Sequence, residues 1–334
     1  MQATCPHTDG HRANHSKKEA KLDRTRGDGR PVLLVLRALK LGDLLVAVPA
    51  LHALHRAFPD HRLLYAAQDW LRDAVDLVGG FELMPTHGLD EPLPVEPDSV
   101  DVAVNLHGRG PESQSRIEAI RAKTVISHRS ALHRGPEWVE GIHERERWTG
   151  LLQWHGIDAD PQDFALNAPE DSVQWPRATI IHVGAAYGSR LWPANRFVDV
   201  AVRLRAAGHH VVFTGSAADR SRALAVARNA GFEDLVVLAG TQPLGAFAAL
   251  VAKANLLISA DTGAAHLASA YRRPSVVLFG PAPPEEWGPP QGPHVALTKA
   301  ELRRGDTFAK DPDPALLGVS VQEVLDAVSD LGLL

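Results

Sequence analysis

Short runs of consecutive apolar residues alternate with longer segments in which apolar residues recur at helical spacing, starting at Pro31. A continuous apolar run predicts a strand of a parallel sheet that is covered on both faces. In the first half of the chain the runs predict strands at 32–36, 63–67, 100–106 and 124–126. A helix is predicted over 44–58, and Pro49 predicts an irregular or kinked start for it.

The second half of the chain repeats this alternation. Strands are predicted at 178–183, 210–214, 235–238, 255–259 and 275–279. Helices are predicted at 196–207, 217–230, 244–254, 264–271 and 321–331, and Gly208 is a natural stop for the first of them. Strands that alternate with helices in this way predict an α/β fold with doubly wound parallel sheets.

A proline-containing stretch without periodicity, 156–176, separates the two halves and is predicted to connect two domains. A chain of 334 residues also exceeds what one hydrophobic core usually serves. We predict a Rossmann-like N-terminal domain over 31–165, a Rossmann-like C-terminal domain over 172–320 and a closing helix within 321–334. Neither half carries a G-x-G-x-x-G fingerprint after a strand, which argues against a dehydrogenase.

Composition narrows the class of partner. Apolar residues make up 45% of the chain, and the formal net charge is −5 without a long basic run in its body. Nucleic acid is therefore not an expected partner, because binding it requires clustered Lys and Arg. The single cysteine, Cys5, cannot form an internal disulfide, which fits a reducing cytoplasm, and we expect a cytoplasmic protein.

Residues 1–30 form a polar tail with a net charge of +3, and we expect this tail to be disordered. No apolar stretch follows its charges, so it does not have the form of a signal peptide. No run of residues approaches the roughly 20 apolar positions that span a bilayer. At most, the tail would give a weak peripheral contact with the inner membrane surface.

The first candidate site lies where the strand at 255–259 runs into a helix of small residues. Asp261, Thr262 and Gly263 stand at this junction, and His266 follows one turn later. The first turn of a helix carries unpaired N–H groups that bind phosphate well, and Gly263 allows a close approach. The alternative is that Asp261 or Thr262 caps the helix and that His266 is an ordinary half-buried histidine.

Two further candidate segments follow strands. In the glycine-rich segment 181–193, Ser189 and Arg190 precede a helix, and both are candidates for binding a diphosphate donor. The Arg190 guanidinium offers planar hydrogen-bond donors to diphosphate oxygens, unless it is a surface charge. Gly215 lies in a turn at the carboxyl edge of the sheet, where ligands of open α/β sheets bind.

The segment 37–43 follows the first strand. Asp43 at the loop-to-helix junction is a candidate general base for an attacking hydroxyl, and helix capping is its alternative role. Arg37, Lys40 and Gly42 are the predicted acceptor-binding residues. Arg37 and Lys40 are candidates for holding an anionic acceptor, or ordinary solvated charges, and Gly42 would place the loop.

Metal chemistry has little support in the sequence. The D-x-D patterns at 158–160 and 311–313 lie in proline-containing loops, and we discount them. The seventeen histidines form no H-E-x-x-H or comparable ligand spacing. We expect no metal and no cofactor.

Three segments together resemble glycosyltransferase family 9, the ADP-heptose:lipopolysaccharide heptosyltransferases. They are VLLVLRALKLGDLLVAVPALHALHRAFP, IIHVGAAYGSRLWPANRFVDVAVRL and LAGTQPLGAFAALVAKANLLISADTGAAHLASAYRRPSVVLFGPAPP, within residues 32–285. The D-T-G-x-x-H-x-A stretch followed by F-G-P is the most specific of these motifs. The resemblance implies a GT-B architecture, in which two Rossmann-like domains face a cleft, and an inverting, metal-independent transfer from a nucleotide-sugar donor.

The resemblance also implies roles for individual residues. Asp43 would be the base, and Arg190 stands where the family typically has a lysine that neutralises the donor diphosphate. Thr262 and Gly263 would offer backbone amides to the phosphates, with Asp261 and His266 near the donor sugar, and 238–244 would border the adenine. Residues 107–155 match no motif, so the acceptor is either a lipopolysaccharide-type glycan or another, smaller molecule. A GT-B-fold sugar-nucleotide epimerase and a non-catalytic nucleotide-sugar-binding protein remain as alternatives.

Overall fold

The computed structural model describes residues 29–334, which contain two five-stranded parallel sheets. Cys5 lies outside these residues. Almost all of the tail that was predicted to be disordered and to contact the membrane surface, residues 1–30, also lies outside them. Within residues 29–334, no helix is both long enough and apolar enough to cross a bilayer.

The first sheet has the strand order β3-β2-β1-β4-β5, and its central strand is completely buried. Its strands are β1 (Val32–Leu36), β2 (Arg62–Ala67), β3 (Glu82–Pro85), β4 (Val102–Asn105) and β5 (Thr124–Ile126). Its helices are α1 (Leu41–Ala57), α2 (Arg72–Val78), α3 (Pro111–Ile120) and α4 (Glu144–Trp154). We call this part of the chain the first lobe.

The second sheet has the order β10-β9-β8-β6-β7. Its strands are β6 (Thr179–His182), β7 (Val211–Thr214), β8 (Leu256–Ala260), β9 (Ser275–Leu278) and β10 (His294–Leu297). Its helices are α5 (Ala194–Ala206), α6 (Arg220–Asn229), α7 (Leu244–Ala252), α8 (Gly263–Ala270), α9 (Pro284–Trp287), α10 (Pro314–Leu317) and α11 (Val321–Asp330). We call this part the second lobe. Residues 155–178, between the lobes, contain neither helix nor strand.

The α/β prediction with doubly wound parallel sheets is confirmed, because every strand pair is parallel and helices separate all successive strands except β3 and β4. The predicted strand at 235–238 is wrong. Asp234–Val236 forms a 3-10 turn, and only Val237 pairs with Phe213, in an isolated bridge. Leu235 is 56% exposed, so its apolar side chain marks no buried strand position.

The predicted irregular start of the first helix is also corrected. α1 begins at Leu41, eight residues before Pro49, and stays helical through the proline. The helix starts early because the Asp43 carboxylate accepts a hydrogen bond from the Lys40 amide at 3.1 Å, which satisfies a donor at the helix start. The second-lobe helix α5 ends two residues before Gly208, whose φ of +88° gives the predicted stop.

One apolar core extends across both lobes. It joins buried residues of the first lobe on α1, such as Leu41 and Leu44, to buried residues of the second lobe on α8, such as Ala264 and Leu267. The other face of each sheet has its own core. The lobes are therefore joined by buried apolar surface at the edge of the cleft, and this contact brings the starts of α1 and α8 together.

Candidate functional site

The starts of α1 and α8 touch across the gap between the lobes. A Cβ on Gly263 would lie 2.7–2.9 Å from the side chain of Leu41, and a Cβ on Gly42 would lie 3.2 Å from His266 Cδ2. These distances are too short for any side chain at either glycine without movement of the neighbouring residue. The structure thus brings the predicted loop at 37–43 against the predicted phosphate seat at 261–263.

Asp43 occupies the third position of α1 with its carboxylate 24% exposed. One carboxylate oxygen accepts from the Lys40 amide, and the other lies 3.7 Å from Arg37 Nη2. Asp43 therefore caps its helix and still presents a carboxylate to solvent, so the two roles considered from the sequence are compatible. The exposed residue Lys40 stands beside it, at the helix start.

The structure contradicts an acceptor-binding role for Arg37. Its side chain is almost completely buried, its Nε donates to the Asp43 carbonyl at 2.6 Å, and Nη1 donates to the Leu106 carbonyl. Its guanidinium lies 4.6 Å from the centre of the Trp148 ring. The guanidinium of Arg37 contacts the carbonyl and the carboxylate of Asp43 from inside the protein. Arg37 therefore positions Asp43 and is not free to hold an acceptor.

His107, which sequence reasoning missed, also lies close to Arg37 and Asp43. Its Nδ1 accepts a hydrogen bond from the Ala38 amide at 3.2 Å. Burial, helped by the charge on Arg37, lowers the pKa of His107 to about 4. The imidazole is therefore neutral near pH 7, which the acceptor role of Nδ1 requires. No sequence motif marks this residue, and only the packing of the strand end of β4 beside Arg37 brings it here.

On the second-lobe side, Asp261 connects two basic side chains. Its carboxylate lies 3.1 Å from Arg190 Nη1 and 3.7 Å from His266 Nε2, and it is almost fully buried. Arg190 is one-quarter exposed, and its buried Nε has no hydrogen-bond partner in the described part of the chain. The predicted residues Arg190, Asp261 and His266 thus form one cluster beside the start of α8.

The start of α8 has no side-chain cap. Thr262 occupies the cap position, but its side chain makes no capping bond, and the Asp261 carboxylate is paired with Arg190. The capping role considered for these two side chains is therefore not supported. The first N–H groups of a helix without such a cap are available to an anion, and the helix dipole adds a favourable field.

Ser189 does not face this site. It is completely buried, its hydroxyl donates to the Thr307 carbonyl at 2.8 Å, and its amide donates to the Ala309 carbonyl at 2.9 Å. A Cβ on the preceding Gly188 would overlap the Lys310 carbonyl. We therefore correct the donor-binding prediction for Ser189. Its hydrogen bonds instead hold the segment 307–313 next to it.

A cavity of about 630 Å³ opens beside the carboxyl ends of β6 and β7. Gly215 lines it, together with Leu238 and Leu244 from the stretch expected to border an adenine. The other lining residues are Asp69, Trp70, Arg72, Asp73, His182, Thr214, Ser216, Gln242, Pro243 and Phe247. Volume and mixed lining are those of a small-molecule site.

His182 stands on the wall of this cavity. Its Nδ1 is hydrogen-bonded to Thr214 Oγ1 at 2.9 Å, and its ring centre lies 5.7 Å from that of Phe247. Burial lowers the pKa of His182 to about 4, so the ring is neutral near pH 7 and serves as an apolar surface with one polar edge. Its place at the end of a predicted strand could have marked it in the sequence.

Among residues 29–334, no group of three or more His, Cys, Asp or Glu side chains is arranged so that it could hold a metal ion. The discounted D-x-D patterns have other roles. Asp313 caps α10 through the Ala315 amide at 2.9 Å, and Asp160 accepts from the Gln162 amide at 2.9 Å.

Comparison with known proteins confirms the resemblance to glycosyltransferase family 9. Residues 148–311 match the model of the family described as glycosyltransferase family 9 (heptosyltransferase). Lipopolysaccharide heptosyltransferase 2 of Salmonella typhimurium is 29% identical over 190 residues, which are 54% of this chain and 54% of that protein. The chain spans about half the length of the curated relatives that it matches.

Solved structures extend the likeness to both lobes. A glycosyl transferase family 9 protein from Veillonella parvula superimposes with a TM-score of 0.73 at 20% identity, covering 90% of this chain and 97% of the other. ADP-heptose lps heptosyltransferase II of E. coli superimposes with a TM-score of 0.66 at 19% identity, covering 90% and 98%. These likenesses confirm the predicted GT-B architecture.

We predict that Asp261→Asn weakens the fold more than a matched change at an exposed pair. The isosteric amide removes a buried negative charge that forms an ion pair with Arg190, while the hydrogen bond from Arg190 Nη1 to the Asp261 backbone carbonyl remains. Leaving a half-buried cation without its counter-charge costs about 1–3 kcal/mol. Asp234→Asn, which breaks the exposed pair with Arg228, is the control and should leave the urea midpoint almost unchanged. Equal losses in the two variants would contradict a supporting role for Asp261.

We also predict that the fold loses stability as the pH falls below about 6.5. Burial lowers the pKa to about 4 for four histidines, which are His107, His143, His182 and His294. Between about pH 6.5 and 4 the unfolded chain therefore takes up protons at these positions that the native chain does not. Their contribution is complete above the unfolded pKa of about 6.5 and is lost towards pH 4. Urea midpoints measured from pH 4.5 to 7.5 should show this slope.

In this titration His182→Gln should make the slope shallower by roughly one proton, because the amide takes up none. The exposed His87→Gln is the control and should keep the slope of the unchanged protein. An unchanged slope in His182→Gln would contradict the neutral, buried state assigned to that ring.

Proposed function

We propose that this protein is a cytoplasmic glycosyltransferase of the heptosyltransferase kind, which transfers a sugar from a nucleotide diphosphate donor to an acceptor hydroxyl. The donor that fits the family best is ADP-heptose, and the acceptor is a lipopolysaccharide-type glycan or another small acceptor. One observation carries the proposal. The helix start that bears the partly exposed Asp43 carboxylate touches the start of α8, which has no side-chain cap, across the lobe boundary.

In this proposal the second lobe holds the donor. The nucleoside occupies the cavity beside Gly215 and Leu238, and the diphosphate lies against Arg190 and the first amides of α8. Arg190 keeps its buried Nε unpaired, so a phosphate oxygen would gain a donor without displacing the contact to Asp261. The donor sugar then lies towards Asp261 and His266, next to Gly42.

Asp43 acts as the general base. The acceptor oxygen forms a bond to the anomeric carbon of the donor sugar while the bond from that carbon to the phosphate oxygen breaks. The acceptor proton passes to the Asp43 carboxylate, and the bonding electron pair leaves with the diphosphate. Attack from the side opposite to the leaving group inverts the anomeric configuration. Arg37 keeps the carboxylate in place through its contacts with the Asp43 carbonyl and carboxylate.

Fixed charges replace a metal ion in this proposal. Negative charge builds up on the departing diphosphate, where the positive end of α8 and the Arg190 guanidinium are already in place. Groups that are oriented before the reaction need no rearrangement when the charge develops, and this lowers the barrier. We expect no resident cofactor to take part.

We predict that Asp43→Asn lowers transfer by about 10²- to 10⁴-fold while nucleotide affinity stays nearly constant. The amide still accepts the hydrogen bond from Lys40, so α1 keeps its start, but it cannot take up a proton. The measurement is ADP release from ADP-heptose with a heptose-free lipopolysaccharide acceptor, beside ADP titration calorimetry.

The matched control is Asp60→Asn, an exposed aspartate in the loop before β2, which should keep full transfer. Full activity in Asp43→Asn would rule out the base. Turnover of the nucleotide sugar without any acceptor, giving an isomerised product, would point to an epimerase. Binding without turnover in the unchanged protein would point to a nucleotide-sugar-binding protein.

We predict that transfer survives metal removal. An excess of EDTA should leave the initial rate within about twofold, because the charge of the leaving group is met by Arg190 and α8. The same EDTA-treated protein should gain nothing from added Mg²⁺ or Mn²⁺. Loss of transfer in EDTA with recovery on adding Mg²⁺ would refute the metal-free step and leave the role of Asp43 to be judged separately.

A further inference from the structure

The cavity at the ends of β6 and β7 has a wall from each lobe. The second lobe provides most of its lining, including Leu238, Leu244 and Phe247, whereas the first lobe provides a short segment, 69–73. This segment comprises a 3-10 turn, Asp69–Leu71, and the start of α2. A ligand that fills the cavity therefore touches both lobes.

Trp70 is the large side chain of the first-lobe wall. It is 49% exposed, which is unusual for an indole, although it lines a cavity. Its Nε1 donates to Gln68 Oε1 at 2.6 Å, and this bond restricts the orientation of the ring. The polar edge of the indole is thus satisfied within the first lobe, and its faces remain available for apolar contact.

A hydrogen bond between the lobes holds this segment beside the cavity. The Gly245 amide, in the first turn of α7, donates to Asp73 Oδ2 at 2.8 Å. Pro243 occupies the cap position of α7 and makes no side-chain capping bond. The Asp73 carboxylate, from the other lobe, therefore caps the start of α7. The first-lobe wall is therefore fixed against the same helix that contributes Phe247 and Leu244.

We propose that Trp70 is a base-stacking residue, and that the nucleobase of a nucleotide binds between its indole and the second-lobe wall formed by Leu238, Leu244 and Phe247. This inference rests on the proposed function, and it adds a specific first-lobe residue to the donor site. Flat π-systems stack on tryptophan irrespective of their hydrogen-bonding edge. The diphosphate end of the ligand would point towards Arg190 and would not need Trp70.

The position of the cavity favours a nucleobase over an acceptor sugar. The acceptor hydroxyl has to reach Asp43, which lies in the first turn of α1, next to the residues Leu41 and Gly42 that pack against Gly263. The cavity instead lies beside the ends of β6 and β7, around Gly215, where nucleotides bind in doubly wound sheets.

The test compares two probes on the full chain by titration calorimetry. In Trp70→Ala the affinity for ADP should fall on the order of tenfold, because a lost base–aromatic stack costs that much or more. The affinity for pyrophosphate, which has no base, should stay the same. Trp70→Phe, which keeps a ring, should recover most of the ADP affinity.

Trp154→Ala is the matched control, since this indole is 51% exposed on α4 and does not line the cavity. It should bind ADP and pyrophosphate as the unchanged protein does. Melting temperatures of all variants show whether each one is folded, and the pyrophosphate affinity reports whether the diphosphate seat is intact.

The outcomes separate the two claims. If the unchanged protein binds neither ADP, UDP, GDP nor pyrophosphate, the proposed function fails and the inference fails with it. If the unchanged protein binds ADP and Trp70→Ala binds it equally well, only the inference is overturned. A parallel loss of ADP and pyrophosphate affinity in Trp70→Ala would also overturn it, because the effect would not be specific to the base.

Discussion

The close packing of two helix starts across the lobe boundary is the constraint on which the rest of the site depends. A single carbon added at Gly263 would collide with the opposite lobe, and one added at Gly42 would press against His266. Both helices direct their positive ends into the same narrow region, which is unfavourable without negative charge nearby. Asp43 and Asp261 supply one carboxylate at each helix start, and a bound diphosphate would add more. The two helix dipoles together therefore favour negative charge at the point where the starts of α1 and α8 meet.

Much of this arrangement could be predicted from the sequence. Parallel strands end at a common edge, so residues in the loops and helix starts that follow strands, such as Asp43 and Asp261, are expected to line the cleft. The strand at 235–238 was predicted wrongly because an apolar run alone does not distinguish a strand from a turn with one exposed leucine. Arg37 and Ser189 were misplaced for a different reason, since their positions in motifs do not say on which side of the backbone their side chains lie.

Two of the residues that were missed, His107 and Trp70, are placed by contacts between distant parts of the chain. His107 lies beside Asp43 only because β4 pairs with β1. Trp70 reaches the second-lobe cavity because Asp73 binds the start of α7. Neither residue belongs to a local pattern, so neither periodicity nor spacing could indicate it. Long-range packing therefore accounts for the parts of the site that sequence reasoning left out.

The apolar core that runs from α1 into α8 has a consequence for how such proteins diversify. A first lobe with a different sequence would pack in the same way only if its α1 matched the small residues of α8. Leu41 fills the space that Gly263 leaves, so a bulkier residue at either position would hold the lobes apart. A change on one side of this junction therefore has to be matched by a change on the other, whereas the outer loops carry no such constraint from it.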